Sequence, residues 1–139
     1  MHSGYTILDH PSDLGIEARG RSLSEAFEQA AIALMSTIAD LSTVNPRTSR
    51  AVKLSASDPE QLLVKWLGEI LYLYDGQAFL SKEFAIERLT KTHLTAKVGG
   101  EAIDPEKHRT MLDVKAITYH QLSVREDAEG GTVRVFLDI

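Results

Sequence analysis

Two amphipathic segments, each opened by a capping signal and each carrying a single apolar stripe, constrain this chain more than any other feature. Ser22-Leu23-Ser24-Glu25 is a capping box, in which the Ser22 hydroxyl can accept from an orphan amide of the first turn while Glu25 reaches back to the cap. Behind it Leu23, Ala26, Phe27, Ala30, Leu34, Ile38 and Leu41 recur at three- and four-residue spacings, one face that a sheet must cover. Asp58-Pro59-Glu60-Gln61 opens the second helix, with Pro59 at the first helical position, where its missing amide costs little. Leu63, Trp66, Leu67, Ile70 and Tyr74 form its stripe, and Asp75-Gly76 is a stop.

Strand patterns fill the rest. Leu14, Ile16 and Ala18 alternate with polar or small neighbours, as do Val52, Leu54 and Ala56, and Leu94, Ala96 and Val98. Gly99-Gly100 and Gly130-Gly131 offer the positive backbone angles of tight hairpins. Segments 41–50 and 104–113 read as the longest loops. The expected fold is α+β: a single domain over residues 1–139, with the two amphipathic helices packed on a largely antiparallel (mixed) β-sheet.

Composition removes several function classes. With no cysteine in 139 residues, disulfides, zinc–thiolate sites and thiol nucleophiles are all unavailable, which fits a reducing cytoplasm. No apolar run approaches the roughly 20 residues of a membrane span, and Met1-His2-Ser3-Gly4 opens no signal peptide. A net charge of -5 argues against autonomous binding to a nucleic-acid backbone, so any link with RNA is expected through a protein partner. Phosphate-loop, His-Glu-x-x-His, nucleophile-elbow and EF-hand patterns are missing from the sequence, which lowers the expectation of an enzyme.

The chemistry that remains lies in acidic residues near the two ends. An apolar strand pattern runs to Leu137-Asp138-Ile139, so the carboxylate of Ile139 is expected to be held in the fold beside Asp138. If Asp13, in Asp9-His10-Pro11-Ser12-Asp13, folds against that end, three carboxylates surround one hard cation of the calcium or magnesium kind. By residue statistics alone, Asp13 fits a turn or cap better than a ligand. Period two over 132–139 sets Arg134, Phe136 and Asp138 on one face, so Asp138 can instead pair with Arg134 or Lys115. Lys115 lies in the strand-like run 113–120, where alternation puts it with Ile117 and Tyr119. His10, His108 and His120 can also be drawn into a metal site, although isolated histidines are more often structural.

These residues carry a resemblance. Asp9-His10-Pro11-Ser12-Asp13-Leu14-Gly15-Ile16, the Ser22-to-Phe27 opening, Leu62-Leu63-Val64-Lys65-Trp66-Leu67-Gly68-Glu69, Gly100-Glu101, Val114-Lys115-Ala116-Ile117-Thr118-Tyr119-His120 and the final Asp138-Ile139 resemble the archease family in order along the whole chain. Pro11-Ser12 departs from the family's commoner Thr-Ala. The resemblance implies a non-catalytic protein cofactor that activates an RtcB-type RNA ligase, promoting its guanylylation and multiple turnover in tRNA splicing or RNA repair. It implies a divalent cation on Asp13, Asp138 and Ile139, calcium in the family's crystals with magnesium or manganese as alternatives, a functional lysine at Lys115, and Asp9 and His10 as further functional or partner-contacting residues. A general chaperone and a metal-dependent hydrolase are the alternative functions, the first requiring exposed apolar surface and the second a general base.

Overall fold

The computed structural model describes residues 2–9 and 13–139. The elements run β1 (Gly4–Asp9), β2 (Asp13–Gly20), α1 (Leu23–Ile38), β3 (Thr48–Ser55), α2 (Pro59–Asp75), β4 (Phe79–Leu89), β5 (His93–Ala102), β6 (Ala116–Ile117), β7 (Ser123–Asp127) and β8 (Gly130–Asp138). Both helices begin where their caps place them. Ser22 Oγ accepts from the Glu25 amide at 3.2 Å, and Asp58 Oδ1 accepts from the Gln61 amide at 2.8 Å. The amide next after Ser22, that of Leu23, donates to Glu126 Oε2 at 3.2 Å, a long-range bond that satisfies a further first-turn donor. The stripes are buried: Ala26, Phe27, Ala30, Leu34 and Ile38 from α1, and Leu63, Trp66, Leu67 and Ile70 from α2.

The helices pack on antiparallel sheets, and the strands divide into two of them. One has the order β1-β2-β8-β6, with β7 also paired to β8; the other has the order β3-β5-β4. One apolar cluster draws on both sheets and both helices. Strand β8 is central to the first sheet. On one side it pairs with β2 along its length, and on the other it takes β7 near Gly130–Arg134 and β6 at Leu137 and Asp138. Among the described residues no helix is long and apolar enough to cross a membrane.

Two expectations need correction. Gly130-Gly131 does follow a turn, Gly130 having φ +147° as β8 begins. Gly99-Gly100, in contrast, lies inside β5, and the β4–β5 hairpin turns at residues 90–92, where the Thr90 amide donates to the His93 carbonyl at 2.9 Å. Gly100 answers to a close approach, because a Cβ there would collide with the Leu80 carbonyl of β4. The run 113–120 is also not a long strand. Only Ala116–Ile117 pair, after which Thr118 directs both its amide and its hydroxyl to the Phe136 carbonyl at 2.9 Å and the chain turns through Gln121 at φ +48°.

Candidate functional site

Strand register joins the two ends of the chain. In the β2–β8 pair Asp13 stands directly opposite Asp138, with Leu14 opposite Leu137 and Ile16 opposite Val135 as the next core pairs. Residues directly opposite in an antiparallel pair share a face with Cβ atoms about 4.5–5.5 Å apart. The two carboxylates are therefore neighbours, with Asp13 half-buried and Asp138 exposed. On its other side Asp138 faces Ala116 of β6, and its carbonyl accepts the Lys115 amide at 2.8 Å. The backbone of Asp138 is thus held from both flanks. Ile139, which follows Asp138, packs part of its side chain against the core.

Arg134 is not the partner of Asp138. It sits opposite Glu17 and makes the ion pair there, Nη2 to Oε2 at 2.8 Å, because the register sets Glu17 and not Asp13 across from it. Lys115 is exposed and reaches the site through its main chain. Its expected neighbour Tyr119 is 64% exposed, since the alternation fails after Ile117. Asp9 ends β1 opposite Leu14, one position from Asp13. The side chain of Asp9 and the whole of His10 lie outside the described residues. His120 packs edge-on against Phe136, with ring centroids 5.4 Å apart, on the face that carries Asp138.

Calcium and magnesium take oxygen ligands, and the two cross-strand carboxylates are donors of that kind. Like charges set directly opposite each other destabilise a sheet pair, and a bound cation relieves that repulsion. Among the described residues no group of three or more His, Asp or Glu side chains is arranged to hold a metal ion.

His108 belongs to a second polar cluster, which sequence reasoning did not find. Glu101, 8% exposed, accepts on Oε2 from the Asn45 amide at 2.6 Å, Lys107 Nζ at 2.8 Å and His108 Nε2 at 3.0 Å, while Oε1 faces Arg47 Nε at 3.3 Å. The Asp104 amide donates to His108 Nδ1 at 2.9 Å, which leaves the ring proton on Nε2, directed at Glu101. His108 is therefore a structural link, about 30 residues in sequence from Asp138. The Asn45 amide foremost, then the Lys107 ammonium, hold the Glu101 carboxyl down at about 2 against the upward push of burial, compared with an ordinary 4.5.

A depressed carboxyl contributes stability that is complete above its unfolded value and is lost as pH falls through its folded one. Glu101 therefore stabilises the fold fully above about 4.5 and progressively less toward pH 2. The variant Glu101→Gln is expected to melt well below wild type at pH 7, with the gap narrowing between pH 4.5 and 2. A gap that stays constant across this window would show that the loss is one of packing and not of charge.

The fold and the strand register together define a small α+β domain whose first and last long strands set two carboxylates across from each other. The chain belongs to the archease family: the Archease protein family (MTH1598/TM1083) matches residues 5–139. It is 36% identical over 137 residues to "Protein archease" of Sulfurisphaera tokodaii, covering 97% of this chain and 98% of that protein. It is 41% identical over 125 residues to "Protein archease" of Pyrococcus abyssi, covering 88% of each. The solution structure of Methanobacterium thermoautotrophicum protein 1598 superposes with a TM-score of 0.83 at 34% identity, covering 98% of this chain and 99% of that one.

Proposed function

We propose that this chain is a non-catalytic protein cofactor of an RtcB-type RNA ligase, promoting the ligase's guanylylation and multiple turnover in tRNA splicing or RNA repair. It acts in the cytoplasm and meets RNA through the ligase. Family membership supports the role, and the observation that carries the site is the register of Asp13 against Asp138. Asp13, Asp138 and the carboxylate of Ile139 hold a divalent cation, calcium or magnesium in kind. When bound, such an ion supplies charge neutralisation for phosphate oxygens.

The chain's own residues do the rest. The β6–β8 bond from the Lys115 amide to the Asp138 carbonyl fixes the lysine next to the acidic pair, so its ammonium can meet a phosphate that approaches the same tip. Asp138 is exposed where β8 ends, open to a docking surface, while half-buried Asp13 backs it from β2.

The test is guanylylation of a partner RNA ligase at substoichiometric amounts of this protein. Wild type is expected to stimulate, and Asp138→Ala, Lys115→Ala and a version lacking Ile139 are expected to lose most of that stimulation with unchanged circular dichroism. Equal stimulation by all four proteins would remove the tip from the mechanism. A product released by this protein alone, without ligase, would overturn the non-catalytic role.

A further inference from the structure

The cluster around Glu101 holds more positive charge than its carboxylate can use. A carboxylate offers about four acceptor positions; Oε2 of Glu101 is crowded by the Asn45 amide, Lys107 and His108, while Oε1 faces Arg47. Beside it lies an open groove of about 550 Å³ whose lining includes Arg47, Thr48, Arg50, Phe79, Glu101 and Lys107. Arg50 is pinned as well: its guanidinium carbon lies 4.6 Å from the centroid of the Phe79 ring, and Nη1 donates to Gln77 Oε1 at 2.6 Å. The other acid on the lining, Asp104, accepts the Glu106 amide on Oδ1 within its own turn.

Three cations thus face two carboxylates around one groove, in a chain whose net charge is -5. Each cation is positioned by a partner that takes only part of its donor capacity: one edge of each guanidinium and one proton of the ammonium. Among the described residues no acceptor meets the donors that remain. Guanidinium forks fixed in this way match the oxygens of a phosphate better than freely moving side chains do, because less freedom is lost on binding.

We propose that this groove is an anion site that takes a phosphate group, supplied by a free nucleotide or by an RNA backbone that a partner presents. Phosphate capture here is independent of ligase activation and of the cation at the chain end. The two sites nevertheless lie within reach of one ligand-bearing partner. Eight residues separate Lys107 from Lys115, whose amide bonds Asp138, and eight residues span at most about 29 Å.

Isotope-labelled protein at low salt, titrated separately with sodium pyrophosphate, metal-free GTP and a short single-stranded RNA, tests the site by amide chemical shifts. The amides of residues 47–50 and 104–108 are expected to move, and Arg50→Gln and Arg47→Gln are each expected to weaken binding about tenfold. Movement with RNA alone assigns the phosphate to a nucleic-acid backbone; movement with pyrophosphate and GTP as well assigns it to phosphate groups in general. The proposal is overturned if none of the three probes shifts those amides. It is equally overturned if a variant that melts like wild type binds as tightly as wild type.

Discussion

Trp66→Ala is expected to cost about 3–5 kcal/mol, the range for removing a large aromatic ring from a core. Against a typical domain stability of about 5–15 kcal/mol, that is enough to leave the variant marginal. Trp66 is fully buried in α2, and its Nε1–H donates to the Phe27 carbonyl of α1 at 2.9 Å. Its ring stands edge-on to Phe84 of β4, with centroids 6.1 Å apart. Three elements, including both helices and the second sheet, therefore meet on one side chain. Truncation opens a cavity that none of the three can close without leaving the others.

Trp66→Phe separates the two contributions. It keeps most of the ring volume and loses the hydrogen bond, a net term of about 0.5–1.5 kcal/mol. Urea unfolding followed by circular dichroism is the measurement, because Trp66 is the sole tryptophan and its fluorescence vanishes with it. A loss near 1 kcal/mol in the alanine variant would mean that the helices and the second sheet are tied together elsewhere.

Trp66 also shows what the sequence made legible. A stripe at helical spacing behind a capping residue is a local signal, and both helices could be read from it. The same is true of β2 and of the first half of β5, where Leu94, Ala96 and Val98 alternate with polar neighbours. Strand β4 hid itself because its register slips between Ser81 and Glu83 and again between Ile86 and Arg88, so its apolar residues lose period two. The run 113–120 misled in the opposite sense: β-branched and aromatic residues imitate a strand, while Thr118 and the turn at Gln121 end the pairing after two residues. The division into two sheets is set by contacts such as Asp13 with Asp138, over 100 positions apart, for which no local pattern exists.

The Glu101 cluster was invisible for a related reason. Counting alternation on from Leu94, Ala96 and Val98 puts Glu101 on the face away from the core, where an acid needs no explanation. Segments 45–47 and 104–108 fold over that face and bring it donors from four other positions. Its only trace in the sequence was the Gly100-Glu101 pair within the family resemblance. The acidic tip was easier, since Asp138 lies on the polar face of an otherwise apolar final strand.

That tip sets up the second large effect, in which one substitution has opposite consequences with and without a divalent cation. Two carboxylates directly across a strand pair repel, so Asp138→Asn is expected to raise the stability of the metal-free protein by roughly 0.2–1 kcal/mol. In the proposed cation site the same change removes an anionic oxygen ligand, and with it the expected response to metal. Calcium or magnesium at a hundred times its dissociation constant is expected to stabilise wild type by about 2.7 kcal/mol, a rise in melting temperature on the order of 10 °C for a chain of this length. Potassium chloride at matched ionic strength controls for screening of surface charge. Wild type should therefore melt below Asp138→Asn in chelator and above it in the divalent salt. If both proteins gain equally from the divalent ion, the cation is not held by this pair; if the variant melts lower in chelator, Asp13 and Asp138 are stabilising each other through something other than a metal.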